Sequence, residues 1–418
     1  MLHVVKILYF ADIRFPLERA NGIQTMETCH ALARRGHDVH LVVRPDTHTP
    51  ARDPFEYYDL PATPRLVLER APVGGPALAR RVGYLTCAAK RALGKGRADL
   101  VMTRDLAVAS LMLRLPSRPP VVYESHGYAP EVASALPALV STATTPSASK
   151  LARLARRESF VWRRADGYVT ITSGLASAQN ARFGARARVA VVPDGARVVP
   201  SGITDPPGVG NPATSRAVAV PSMASGLWPP ASLTIAYAGH LYAWKGVDVL
   251  LEALAQVPGV RCLIAGGHDK EPDLARLQAL AARLGVESRV TFTGHLPPSD
   301  VPGVLARADI LALPNPASAI STHATSPLKL FEYMAAEKAI VASNLPAIRE
   351  VLTHDVNALL VTPGDPGALA GAIRRLAGDP LLRETLAAAA RTVVAEYSWD
   401  RRAERLEALF TEVRASIR

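Results

Sequence analysis

The sequence predicts an α/β chain built as two doubly wound parallel-sheet domains facing a central cleft. Three observations carry this. Short apolar runs of strand length alternate with longer helix-periodic stretches from Val4 to Val192, as expected of parallel sheets covered by crossover helices. The alternation stops over 197–232, where Pro200, Pro206, Pro207, Pro212, Pro221, Pro229 and Pro230 stand among many Gly, Ser and Ala residues, the composition of a linker or surface insertion. It resumes at Thr234 and runs to Ala395, in a chain of 418 residues that exceeds one ordinary core. The expected divisions are residues 1–196, a linker at 197–232, a second domain at 233–396 and a closing helix at 397–418.

In chain order, residues 4–10 read as a buried strand, 23–35 as a helix stopped by Gly36-His37, and 39–43 as a second strand. A long loop at 11–22 carries Arg14, Glu18, Arg19 and Asn21, and loops at the carboxyl ends of parallel strands are where such sheets bind ligands. Further strands are expected at 100–102, leading to Arg104-Asp105, at 121–124, leading to Ser125-His126-Gly127, at 168–172, and at 189–192, closed by Pro193-Asp194-Gly195. Helices are expected at 150–164, a basic one, and at 173–182. In the second domain the strands fall at 234–238, 261–265, 290–293, 310–313, 340–343 and 359–361, with helices at 247–256, 271–284, 300–306, 365–376 and 381–395. The last helix, 400–417, has an apolar stripe of Ala403, Leu406, Leu409 and Val413 and must cover another surface.

Composition narrows the class. Hydrophobic content of 49% with 20% charged residues is that of a globular chain. A net charge of +11 favours an anionic partner. Cys29, Cys87 and Cys262 are odd in number and form no C-x-x-C pair, so a reducing compartment and no metal cage are expected. The opening apolar run is too short for a secretory leader and no window reaches membrane-helix length; a cytoplasmic location is expected.

The stretch T-S-P-L-K-L-F-E-Y-M at 325–334 promises a helix beginning at Ser326, an N-cap residue, with Pro327 in the first position. The unpaired N–H groups at such a mouth attract phosphate. Lys329 and Glu332 are helical neighbours, and Leu330, Phe331 and Met334 suit the buried side. The same pattern also suits a capped core helix with an exposed ion pair. A second feature shifts the balance: Tyr237-Ala238-Gly239-His240-Leu241 ends the first strand of the second domain and Lys245-Gly246 opens the following helix. Glycine lets backbone approach a ligand and lysine supplies a mobile charge, a pairing suited to a diphosphate.

At these residues the chain resembles the GT-B glycosyltransferases, specifically the retaining family 4 group related to sucrose synthase. The likeness rests on G-H-L-Y-A-W-K-G at 239–246, A-G-G at 265–267, F-T-G-H-L at 292–296, S-P-L-K-L-F-E-Y-M-A at 326–335 and Y-S-W-D-R-R-A-E at 397–404. In the first domain it continues through N-G-I-Q at 21–24, Y-E-S-H-G at 123–127 and V-P-D-G at 192–195. The resemblance implies two Rossmann-like domains and a nucleoside diphosphate sugar as co-substrate, with no further cofactor and no metal. It implies that Lys245 neutralises the departing diphosphate and that Glu332 holds the donor ribose, with Ser326, Leu328 and Lys329 around the helix mouth. His240 stands where many relatives have an arginine. Gly266 and Gly294 are implied at the nucleobase wall, and Gly22 at the approach of the first domain to the phosphates. His126 matches the histidine that contacts the donor sugar, so His126 and Lys245 are the candidate catalytic groups; Arg104 and Asp105 are weaker candidates for acceptor contact, and Glu124 for orienting a neighbouring loop. One departure concerns the sugar: relatives carry a first glutamate where Ala324 stands, so His323, Thr325 or Ser321 is left to replace its hydrogen bonds.

The implied reaction moves a sugar to a hydroxyl acceptor with retention, in cell-surface polysaccharide or glycolipid assembly. Two other readings stay open, a catalytically impaired sugar-nucleotide-binding subunit and a GT-B sugar-nucleotide epimerase. Arg80, Arg81, Lys90, Arg91, Lys95 and Arg97, and then Lys150, Arg153, Arg156, Arg157, Arg163 and Arg164, form two basic clusters. They point to an anionic membrane surface and a lipid-linked acceptor. Nucleic acid is not expected, because few aromatics accompany the charge.

Overall fold

The computed structural model describes residues 4–94, 98–139, 144–198, 233–267, 272–318, 321–322 and 326–416. Residues 199–232 of the linker expected at 197–232, and Lys95, Arg97, His323, Ala324 and Thr325, lie outside the described residues.

Two parallel sheets form the architecture. In the first, β1 (Lys6–Arg14), β2 (Asp38–Arg44), β3 (Leu66–Arg70), β4 (Leu100–Thr103), β5 (Val121–Ser125), β6 (Gly167–Thr170) and β7 (Val189–Val191) lie in the order β3-β2-β1-β4-β5-β6-β7. In the second, β8 (Thr234–Ala238), β9 (Arg261–Ala265), β10 (Val290–Gly294), β11 (Ile310–Leu313), β12 (Ala339–Ser343) and β13 (Leu359–Val361) lie in the order β10-β9-β8-β11-β12-β13. The order reverses direction at β1 in one sheet and at β8 in the other, and at such a switch point neighbouring loops part and leave a crevice beyond the strand ends.

Apolar stripes account for the layers. On one face of the first sheet, Met26, Cys29 and Leu32 of the helix Ala20–Arg34 pack with Leu406, Leu409, Phe410 and Val413 of the terminal helix Trp399–Ala415. The terminal helix therefore belongs to the core of the first lobe although the second lobe precedes it in the chain. Tyr84, Ala88, Val108 and Met112 cover the other face. In the second lobe the helices Val247–Ala255 and Pro366–Gly378 cover one face, and Leu330, Phe331, Met334 and Val394 fill the other.

Three details differ from the sequence expectations. β1 continues to Arg14 and the following helix starts at Ala20, so the loop expected at 11–22 is much shorter; Ala11 and Phe15 are buried and Arg14 rejoins the ladder opposite Arg44, which carries the strand onward. Between residues 44 and 100 the chain forms a short helix Pro54–Tyr57, strand β3 and the helix Ala77–Leu93. The edge strand and the half-exposed helix lack a clean apolar period, since Leu78 and Val82 face outward. Finally, the helix Leu328–Ala335 begins two residues after Ser326, with Pro327 at the cap and no side-chain cap bond. Ser326 Oγ instead accepts from the backbone N–H of Asp194 in the first lobe, at 3.1 Å.

Candidate functional site

In the second lobe β8 delivers the chain to Gly239, and Lys245 ends a single 3-10 turn, Ala243–Lys245. Gly246 then turns with φ +73, and a Cβ there would stand 1.9 Å from the Pro314 carbonyl oxygen, so only glycine permits this approach. Lys245 Nζ lies 3.6 Å from the Trp244 ring centroid, and burial pulls its pKa from 10.5 down to about 7. Lys329 is buried rather than exposed, which corrects the alternative of a surface ion pair. Its Nζ donates to Tyr237 Oη at 2.6 Å and sits 3.8 Å from that ring's centroid, while Tyr237 Oη donates to the His240 carbonyl at 2.6 Å. Burial, then the charge of Lys245, hold Lys329 well below the usual lysine range, with Glu332 opposing. Burial raises the Glu332 carboxyl. The ring of His240 stacks on Tyr242 at 5.0 Å and is pushed down to about 4 by burial and by Arg19, Lys329, Lys245 and His295. A neutral imidazole flanked by lysines and by uncapped N–H groups results, an arrangement poised for an anion.

Across the cleft, β5 ends at Glu124-Ser125 and presents His126. His126 Nε2 lies 2.7 Å from Glu124 Oε1. Burial and the neighbouring Arg104 push the imidazole pKa down to about 4 against the pull of Glu124. Burial alone would raise the Glu124 carboxyl, but Arg402 and His126 outweigh it and hold it below the ordinary range. Arg104 Nη1 donates to Gln24 Oε1 at 2.6 Å. Asp194, after β7, is pushed up to about 7 by burial against the pull of Arg402; its Oδ1 is buried with no hydrogen-bond partner among the described residues.

These groups line one cavity of about 540 Å³ between the lobes, within the size range of small-molecule sites. His126, Arg104, Gly239, His240, Lys245, Gly266, Ser326, Leu328, Lys329 and Glu332 all contribute to its wall. Four expected positions do not. A Cβ on Gly22 would stand 2.2 Å from the Leu17 carbonyl oxygen and 2.5 Å from Tyr58 Oη, so this glycine serves local packing while Arg19, Ala20 and Asn21 reach the cavity. Asp105 caps the helix Leu106–Met112 and receives Arg81 at 2.7 Å. Gly294 lies behind the wall, which His295 and Leu296 form. Ser321 spends its hydroxyl on the Pro316 carbonyl at 2.6 Å.

Arg19 reaches the cavity from the loop expected to bind ligand, whereas the sequence assigns no role to Gln24, Asp194 and Arg402. The D-G after β7 was a usable signal for Asp194, since it closes a strand as His126 does. Arg402 lies within the Y-S-W-D-R-R-A-E motif, but its role does not show there because its partner Glu124 is 278 positions away. Among the described residues no group of three or more His, Cys, Asp or Glu side chains is placed to hold a metal ion.

Comparisons with known proteins agree with this geometry. A family described as glycosyl transferases group 1 matches residues 232–379, and a glycosyl transferase 4-like domain matches residues 22–195. The chain is 34% identical over 212 residues to D-inositol 3-phosphate glycosyltransferase of Xylanimonas cellulosilytica, covering 50% of this chain and 49% of that protein. It is 32% identical over 160 residues to the lipopolysaccharide core biosynthesis glycosyltransferase LpsD of Rhizobium meliloti, covering 38% and 43%. The matched regions span about half the length of these curated relatives or less. Among solved structures, sucrose-phosphate synthase from Thermosynechococcus elongatus superposes with a TM-score of 0.75 at 19% identity, covering 98% of this chain and 99% of that one. Anabaena HepE in complex with UDP-glucose superposes with a TM-score of 0.69 at 19% identity, covering 99% and 100%. With both lobes matched by these models and the two sheets facing one cleft, the chain belongs to the group 1 glycosyl transferases and has the GT-B fold.

Proposed function

We propose that this chain is a retaining hexosyltransferase that moves a sugar from a nucleoside diphosphate to a hydroxyl acceptor. The observation that carries the reading is the convergence of Lys245, Lys329 and the uncapped mouth of the helix Leu328–Ala335 on one cavity, with Glu332 beside them and His126 opposite. The two ammonium groups and the helix mouth receive the diphosphate and stabilise the charge that grows on it as the glycosidic bond breaks. Glu332 accepts from the ribose hydroxyls, and among the described residues no hydrogen bond engages its carboxylate. The leaving phosphate oxygen takes the acceptor's proton on the same face of the sugar, which retains the anomeric configuration without a protein nucleophile. The HepE neighbour binds UDP-glucose, which makes that donor the first to assay.

A thermal-shift panel of nucleoside diphosphates and their sugars, repeated with Lys245→Ala and Glu332→Ala, tests the donor half. One base should raise the midpoint in the wild type and in neither variant. Equal shifts in all three proteins refute the site.

The acceptor side is proposed to meet an anionic membrane. Leu78 is 76% and Val82 55% exposed on the helix Ala77–Leu93, beside a field of arginines in which Arg157 is lowered by burial and by Arg81 and Arg153. Apolar side chains amid cations suit an interfacial contact. Among the described residues no helix is long and apolar enough to cross a membrane. Flotation with liposomes rich in anionic lipid should carry the protein at moderate salt, and Arg153→Glu with Arg157→Glu should abolish it; no flotation of the wild type removes the idea.

A further inference from the structure

The side chain that ties the terminal helix to the first lobe also reaches, through one carboxylate, the histidine at the cleft. Arg402 is 1% exposed and four of its five N–H groups are engaged. Nε donates to Thr28 Oγ1 at 2.9 Å, Nη1 to the carbonyls of Val192 and Pro193 at 2.8 Å each, and Nη2 to Glu124 Oε2 at 2.7 Å. Glu124, with no exposed surface, turns its other oxygen to His126 Nε2 and to the Gln24 amide N–H₂. Arg104 in turn donates to Gln24 Oε1, which settles which end of that amide faces Glu124.

The chemistry of these linked hydrogen bonds leaves one assignment. A guanidinium is always a cation and only donates, so the carboxylate facing it is ionised and only accepts. The nitrogen that meets Glu124 must then carry a proton. A neutral imidazole has a single N–H, so the proton on Nε2 leaves a lone pair on Nδ1. The His126 side chain is 22% exposed and lies on the cavity wall, and no described residue hydrogen-bonds its Nδ1. A buried ion pair is a poor source of net stability because desolvation consumes most of its attraction, so orientation of His126 is the better account of why a charged pair occupies this core.

We infer that Arg402 and Glu124 are positioning residues that fix His126 as its Nε2–H tautomer, so that Nδ1 faces the cleft as the acceptor for a hydroxyl of the bound sugar. This deepens the transferase reading and rests on it for the identity of the ligand, but not for the tautomer. The terminal helix thereby does more than cover the sheet. Its register, through Arg402, determines what kind of group the cleft histidine can recognise: a hydroxyl, and not a phosphate oxygen, which has no proton to give.

The test is made on the full-length protein with ¹⁵N-labelled histidine. Two-bond ¹H–¹⁵N spectra near neutral pH distinguish the two neutral tautomers, and loss of one ring's signals in His126→Gln assigns them. The Nε2–H pattern is expected for the wild type, and the Nδ1–H pattern overturns the inference outright. In Glu124→Gln, which keeps the shape, Arg402 holds the amide oxygen and the amide N–H₂ faces both His126 and Gln24, whose own amide turns its oxygen toward it. The ring must then accept at Nε2 and switch to Nδ1–H. Nδ1 can then no longer accept from the sugar hydroxyl, and kcat is expected to fall by about tenfold, the worth of one such hydrogen bond. KM for the donor nucleotide should change little because the other lobe holds it. A folded Glu124→Gln that keeps Nε2–H refutes the relay. Among folded variants, Arg402→Lys should retain more turnover than Arg402→Gln; equal turnover removes residue 402 from the role. A wild type with the expected tautomer that turns over no sugar nucleotide supports the relay and refutes the transferase reading, so the two failures are separable.

Discussion

Lys245 and Lys329 share one corner of the cavity wall, and the lowered pKa of each expresses the cost of charging them there. Lys245 stands near 7 in the folded chain against an ordinary 10.5. Between those values the unfolded chain holds more protons than the folded one, so this group's contribution to stability rises with pH across that window. Below about 7 the full penalty of a buried ammonium is present. Lys245→Met is therefore expected to raise the unfolding midpoint more at pH 6 than at pH 9, read by thermal denaturation at both. Ligand affinity runs the other way. A sugar nucleotide, whose diphosphate does not titrate in this range, binds the charged lysine best. Its affinity should fall as pH rises through 7, by up to about tenfold per unit for one proton taken up, and Lys245→Met should flatten that profile in calorimetric titrations. A group that destabilises the empty protein and strengthens the complex is the ordinary trade of a functional site.

The elements around the site are set by loops that leave no room for side chains. Gly266, between β9 and the following helix, has φ +140, and a Cβ there would stand 1.9 Å from the Gly239 carbonyl oxygen. Its N–H donates to the Gly294 carbonyl at 2.9 Å. Three strand ends, those of β8, β9 and β10, are thus locked together by bare backbone. Gly266→Ala should cost about 2–4 kcal/mol, since both the torsion and the close approach are violated. Denaturant unfolding would read it, and a change below about half a kcal/mol would show that the loops do not touch. The cap of the helix Leu328–Ala335 follows similar logic. Ser326 would ordinarily cap it, yet its hydroxyl is given to Asp194 of the other lobe, and the freed N–H groups face the cavity. Local propensity yielded to a hydrogen bond between lobes.

At the scale of the whole molecule the lobes are joined by more than the chain between them. Glu350 of the second lobe accepts from the N–H groups of Ser173 and Gly174 at 2.8 and 2.9 Å, and Ser326 Oγ accepts from the Asp194 N–H at 3.1 Å. The terminal helix completes the core of the first lobe with Leu406, Leu409, Phe410 and Val413. Ending the chain before Trp399 would strip that face and leave Glu124 without its guanidinium in the interior, a double penalty. The truncated protein is expected to be insoluble or to lose most of its cooperative unfolding in calorimetry; a single transition at the wild-type midpoint would contradict it. Most strands in chain order, and the placing of His126 and Lys245 at strand or turn ends and of Glu332 on the helix after β11, were legible, because short buried strands and glycine turns are written locally. The segment from Pro54 to Leu93 was not, since an edge strand and a half-exposed helix carry mixed periods.

By itself the sequence determined two parallel-sheet domains, most of their elements in chain order and the family, because alternating apolar periods and strand-end motifs depend on neighbours a few residues apart. Tertiary structure alone decided that Gly22 and Asp105 support the walls without facing the cleft, that Lys329 is buried against Tyr237, and that Arg402 and His126 meet through the two oxygens of Glu124. These are outcomes of burial and pairing between segments far apart in the chain. Burial sets the protonation of a charged group, and no run of adjacent letters records it.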